Sequence, residues 1–134
     1  MNYKKLILKA MEAREKAYAP YSKFKVGAAV IMDDDKLYSG CNIENASYGA
    51  TNCAERTAIF KAVSDVSEES KIIKAIAIVG DTVNYTYPCG ICRQVIEEFS
   101  DGNTNIILAK NENDYIIKSF SQLFPGAFSK KDLI

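Results

Sequence analysis

The sequence contains no histidine. That absence excludes Ser-His-Asp and Cys-His catalysis, His-ligated metals and histidine-based pH switching. Proton chemistry near neutral pH must fall to a tuned carboxylate, Lys, Cys, Tyr or a metal-bound water. There is no charge surplus either, because 17 Lys+Arg balance 17 Asp+Glu. Proteins that track nucleic-acid phosphates need a basic excess, so nucleic acid is not an expected partner. No apolar run approaches the ~18 residues of a membrane span, so no membrane partner is expected. The opening MNYKKLILKAMEAREK offers only Leu6, Ile7 and Leu8 before charge resumes. Without a leader pattern the sequence predicts a cytoplasmic protein, in which the sequons at Asn45 and Asn84 carry no meaning.

What is present suits one globular domain spanning residues 1–134. Hydrophobic residues make up 48% and charged residues 25%, and a chain of this length buries roughly two-thirds of its unfolded surface. Tyr3, Leu6, Ile7, Ala10, Met11, Ala17 and Tyr18 recur at helical spacing and predict a first helix that Pro20 ends. Residues 25–32 and 37–42 predict a hairpin around Asp33, Asp34 and Asp35. After an irregular loop, Asn52 is placed to cap a helix over 53–64. Residues 72–80 form a continuous apolar strand of the kind buried on both faces. A loop, a third helix over 89–99, strands at 105–110 and 115–118, and a short tail turn ended by Pro125 and Gly126 complete the chain. Strands alternating with helices predict a mostly parallel sheet covered on both sides. A ligand crevice is expected where the loops before the second and third helices meet.

Four cysteines remain: Cys41, Cys53, Cys89 and Cys92. In the cytoplasm they read as reduced thiols or a metal site. Cys53 opens the second helix, and Cys89 and Cys92 open the third. Helix N-termini carry partial positive charge and free N–H groups, which favour thiolates. Three thiolates suit zinc and leave one tetrahedral position open, the mark of a catalytic site. Glu55 stands in the first helical turn, where its carboxylate and the Cys53 sulfur can both reach past the helix end. Two other readings stay open on residues alone. Cys41 would complete a structural four-cysteine site, although the spacing lacks a second close pair. Cys89-x-x-Cys92 would be a redox pair, which leaves Cys53 and Glu55 unexplained.

The motifs extend further. Cys53-Ala54-Glu55 with Pro88-Cys89-Gly90-Ile91-Cys92 resembles the zinc deaminase signature. The segments YAPYSKFKVGAA from Tyr18, GCNIENA from Gly40, NCAERTA from Asn52, CGICRQ from Cys89 and LFPGAF from Leu123 resemble the small, tetrameric cytidine deaminases over nearly the whole chain. The resemblance implies a three-layer α/β/α sandwich around a mixed five-stranded sheet. It implies that Cys53, Cys89 and Cys92 bind one Zn²⁺ and that Glu55 carries protons. The implied reaction is hydrolytic deamination of cytidine and 2′-deoxycytidine to uridine and 2′-deoxyuridine, in pyrimidine salvage. Asn42 and Glu44 are implied to hold the ribose hydroxyls, Phe24 to line the nucleoside pocket, and the Ala54 backbone to contact the pyrimidine carbonyl. Tyr48 and Phe128 are implied to reach a neighbouring subunit's site in a homotetramer. Blasticidin-type deaminases share the three-cysteine site, but Asn42-Ile43-Glu44 favours ordinary nucleosides. Three thiolates on Zn²⁺ leave a net negative charge that weakens the ion as a Lewis acid. Arg56 is the nearest compensator, through hydrogen bonds to the sulfurs.

Overall fold

The computed structural model describes residues 2–133. Helix α1 (Tyr3–Arg14) begins at Asn2, whose side chain accepts a hydrogen bond from the Lys4 backbone N–H at 3.1 Å. Leu6, Ile7, Ala10 and Ala13 are its buried residues, at the spacing of one helical face. The helix does not run on through Tyr18 to Pro20. The Tyr18 N–H donates to the Asn42 carbonyl at 3.0 Å, and the Tyr18 carbonyl accepts from the Glu44 N–H at 2.8 Å. A residue whose two backbone groups are bonded across a bridge has none left for the helical ladder.

Strands β1 (Val26–Met32) and β2 (Leu37–Cys41) form the expected antiparallel hairpin. Helix α2 (Ala54–Asp65) leads to β3 (Ile73–Gly80), and helix α3 (Gly90–Glu98) leads to β4 (Asn105–Asn111). β5 (Asp114–Ser119) and the short α4 (Phe120–Leu123) follow. The strand order is β2-β1-β3-β4-β5. The sheet is mixed, as the family resemblance implies and contrary to the mostly parallel arrangement predicted from element alternation. Among the paired neighbours of the described strands, β3 and β4 alone are parallel; β1 is antiparallel to both its neighbours, and β5 to β4. The crossover through α2 does join strands of one direction, but β1 lies between them, so the alternation in sequence never becomes a parallel pair.

Helices cover both faces of the sheet. Alternate residues of β3 point to opposite faces. Ala75, Ala77 and Val79 meet Leu6, Ile7 and Ala10 of α1, while Ile76 and Ile78 meet Ala58, Ile59 and Ala62 of α2 and Ile96 of α3. The α1 face of the sheet is lined with small side chains. At Gly27 even a Cβ would overlap the Ala10 carbonyl, so α1 lies directly on the β1 backbone.

Strand direction decides where the loops gather. The parallel pair β3/β4 ends at one rim of the sheet. The pairings Val26 with Gly80 and Gly27 with Cys41 bring the start of β1 and the end of β2 to that rim. Segments 18–25, 42–53 and 81–89 therefore converge there.

Candidate active site

Cys53 and Cys89 are the N-cap residues of α2 and α3, both with extended backbone, and neither sulfur caps its own helix. Asn52 is not the cap. Its backbone pairs in both directions with Ile43 at 2.9 Å, and its side-chain amide donates to Thr57 Oγ1 at 3.0 Å. The cap position thus falls to a residue that leaves the first-turn N–H groups unpaired and its sulfur free.

The sulfurs of Cys53 and Cys89 are 3.7 Å apart, and those of Cys53, Cys89 and Cys92 all lie within 4.8 Å of one another. Zn–S bonds of about 2.3 Å in tetrahedral array put sulfurs about 3.8 Å apart. Donor type and spacing therefore fit zinc. Cys41 is not a fourth ligand: it lines a separate small cavity with Glu12, Lys16 and Lys61. Among the described residues the cluster has three members.

The cluster concentrates negative charge on Cys53. The Cys92 thiol beside it lowers its pKa to about 5; burial opposes this, and Arg56 and Cys89 add to the lowering. Cys92 is pushed up by the same shared proton, with burial and the Glu55 charge adding. Arg56 Nη2 donates to Cys53 Sγ at 3.3 Å. Glu55, in the first turn of α2, is only 4% exposed. Burial is the main cause that raises its pKa to about 7, with the Cys53 charge reinforcing it. A carboxyl at that value both takes and gives a proton near neutrality.

Cys53, Ala54 and Glu55 open onto a cavity of about 300 Å³. Phe24 and Val26 at the entry to β1, and Asn42 and Glu44 beyond β2, form one side of it. Thr86, Tyr87 and Cys89 form the other. Asn42 is buried, and its side chain is engaged with the backbone around Phe24. Its oxygen accepts from the Val26 N–H at 2.9 Å and its amide donates to the Phe24 carbonyl at 2.8 Å. Glu44 accepts from the Tyr21 and Ser22 N–H groups at 2.9 and 3.1 Å and from the Ser22 hydroxyl. These bonds stiffen the pocket wall and leave each side chain part of its hydrogen-bonding capacity.

Tyr48 and Phe128 do not line this cavity. Tyr48 is 77% exposed and stands edge-on to Tyr21, centroids 6.3 Å apart, over an adjoining hollow of about 420 Å³ that shares Ser22, Glu44 and Thr51. Phe128 is 57% exposed on the tail, where its carbonyl accepts from Gln94 Nε2 at 2.8 Å. Sequence reasoning missed five cavity residues: Ser22, Val26, Thr51, Thr86 and Tyr87. Ser22 lies inside the Tyr18–Phe24 motif. Thr86 and Tyr87 stand directly before Pro88-Cys89, so their closeness to the motif was the available signal.

Similarity to known proteins agrees with this geometry. Residues 1–108 match the family model described as the cytidine and deoxycytidylate deaminase zinc-binding region. The chain is 52% identical to a cytidine deaminase of Sporosarcina psychrophila, over 99% of this chain and 96% of that one. It is 49% identical to a cytidine deaminase of Halalkalibacterium halodurans, over 99% and 98%. The crystal structure of cytidine deaminase from Burkholderia pseudomallei superposes with a TM-score of 0.86 at 47% identity, covering 96% of this chain and all of that one. With a three-sulfur metal centre, a buried carboxyl beside it and this likeness along its full length, the chain belongs to the zinc-binding cytidine and deoxycytidylate deaminase family.

Proposed function

We propose that the protein is a zinc-dependent cytidine deaminase that converts cytidine and 2′-deoxycytidine to uridine and 2′-deoxyuridine with release of ammonia. The observation that carries this is the shared cavity: three clustered sulfurs and the buried Glu55 open onto one nucleoside-sized space. Cys53, Cys89 and Cys92 would hold the ion. Bound zinc supplies a Lewis acid that brings the pKa of water toward ~7.

The chain's own groups do the rest. The Glu55 carboxylate takes one proton from the attacking water and delivers it to ring N3, then takes the second from the new hydroxyl on C4 and gives it to the departing amine as the C4–N bond breaks. Phe24 packs on the base, and the Ala54 N–H meets the pyrimidine carbonyl. Asn42 and Glu44 bind the sugar hydroxyls with the lone pairs and N–H they have left. Arg56 withdraws charge from the Cys53 sulfur. Among the described residues no Lys or Arg lines the cavity or the adjoining hollow, and Glu44 lines both. That chemistry suits an uncharged nucleoside and repels a 5′-phosphate, which selects nucleosides over nucleotides within a family that handles both.

The exposed Tyr48 and Phe128 support a homotetramer in which they complete a neighbour's pocket. We place the enzyme in pyrimidine salvage in the cytoplasm. The direct test pairs metal analysis with the ultraviolet assay of cytidine loss. Wild type should carry one zinc per chain and turn over cytidine but not cytidine 5′-phosphate. Glu55→Gln should keep its zinc and lose about 10²–10⁴-fold in kcat, the scale of one general acid–base group. Full turnover by Glu55→Gln would refute the assignment.

A further inference from the structure

Segment 81–88 carries two walls of the nucleoside cavity, Thr86 and Tyr87, and leads directly into Cys89. It is poorly tied. Among the described residues, two hydrogen bonds join it to the rest of the chain. One is at its far end, where Arg93 Nε donates to the Pro88 carbonyl at 2.8 Å. The other is the Tyr85 hydroxyl, which donates to Asp114 Oδ1 at 2.6 Å.

The second tie is part of a small cluster at the tip of the β4–β5 hairpin. Lys110 Nζ sits 4.6 Å from the centre of the Tyr85 ring and 4.0 Å from Asp114 Oδ2. The Tyr85 ring is half-buried against the core on the α2/α3 face. Strand direction makes the meeting possible: β3 and β4 are parallel, so the loop leaving β3 and the hairpin tip leaving β4 share one rim. A phenol held on one side by a carboxylate and on its face by an ammonium has a fixed ring plane and a fixed hydroxyl direction.

Resting on the deaminase reading above, we infer that Tyr85, Asp114 and Lys110 form a clamp that positions the Thr86–Tyr87 wall and the Cys89 ligand. Tyr85 is a positioning residue that acts through Thr86, Tyr87 and Cys89. The clamp belongs to the hairpin of the sheet edge, so it couples an element that contributes no sulfur to the retention of the ion. Its bonds lie at the surface and add little to global stability. Its effect falls on local order instead, because a loop with two ties that loses one can open.

The experiment uses zinc-loaded wild type, Tyr85→Phe, Asp114→Ala and the double variant. Zinc release is followed with the chelating dye 4-(2-pyridylazo)resorcinol, alongside cytidine kcat and KM and thermal unfolding. Tyr85→Phe keeps the ring and loses the hydroxyl. It should release zinc and raise KM by about three- to tenfold, the scale of one hydrogen bond. Its kcat when zinc-loaded should stay within about twofold, because the proton-carrying groups are untouched. Asp114→Ala should do the same, and the double variant should be no worse than either alone, as for two halves of one link. Asp114→Asn, which still accepts from the phenol, should restore most of the retention. The clamp is overturned if Tyr85→Phe matches wild type in release and KM, or if the two substitutions add. A wild type that holds no zinc and spares cytidine overturns the deaminase reading and the clamp together.

Discussion

Gly80→Ala tests how closely the end of β3 and the pocket wall are packed. A Cβ at residue 80 would overlap Thr86 Oγ1, stand 2.9 Å from Thr86 Cβ and reach 3.2 Å from Phe24 Cζ. Thr86 and Phe24 both line the nucleoside cavity, so the clash is delivered straight to its wall. Gly80 cannot yield, because its carbonyl is held by Arg14 Nη1 at 3.0 Å and it pairs with Val26 in the sheet. Thr86 must move instead. Overpacking of this kind costs about 1–3 kcal/mol. For 134 residues the unfolding entropy is about 280 cal/mol/K, so Tm should fall by about 4–11 °C. Thr86→Ala in the same chain removes the overlapped oxygen. That hydroxyl is buried without a hydrogen-bond partner among the described residues, so its loss forfeits no bond to them. The double variant should therefore recover at least about 1 kcal/mol relative to the sum of the singles. The assays are thermal unfolding of zinc-loaded protein at one fixed concentration and cytidine KM, which should rise in Gly80→Ala and recover in the double variant. A Gly80→Ala protein with wild-type Tm and KM, or strictly additive singles, would refute the packing argument.

Two further outcomes are expected. Arg56→Ala removes the donor to Cys53 Sγ and should lower kcat about tenfold or more, in line with an outer partner of a metal ligand, while metal analysis still finds zinc; unchanged turnover and pH profile would defeat it. The Ser22 hydroxyl, ahead of the Ser22 and Tyr21 N–H groups, holds the Glu44 carboxyl below its ordinary pKa. A depressed carboxyl contributes its full share above the unfolded value of about 4.3 and loses it as pH falls through the folded value. Hydrogen-exchange protection of the Tyr21 and Ser22 amides should accordingly hold at neutral pH and drop in the acid range below that value, and protection independent of pH would contradict it.

The metal centre was legible in the sequence because its parts are local. Cys53 with Glu55, and Cys89 with Cys92, are each placed by the start of one helix, and helix starts are written in short motifs. Where the chain departs from its local pattern, a distant partner has won. Ala17 and Tyr18 continue the apolar spacing of α1, yet Tyr18 is claimed by Asn42 and Glu44. Asn52 is a good capping residue by type, yet Ile43 takes its backbone and Thr57 its side chain. The mixed sheet escaped the alternation rule because nothing in the order of elements says that β1 inserts between β2 and β3. Thr86 was missed for the same reason: its place in the cavity depends on Phe24, far from it in sequence, meeting it over Gly80.

Strand direction has a practical corollary at the sheet's other end. The turn at Asp33 and Asp34, the connection over 66–72 and the exposed turn at Asp101 and Gly102 are all gathered there, opposite the sulfurs. Surface turns with small and polar residues accept insertions best. A reporter inserted in the Asp101–Gly102 turn, with Gly102 itself kept because its left-handed backbone disfavours any side chain, would sit about a full strand length from the chemistry.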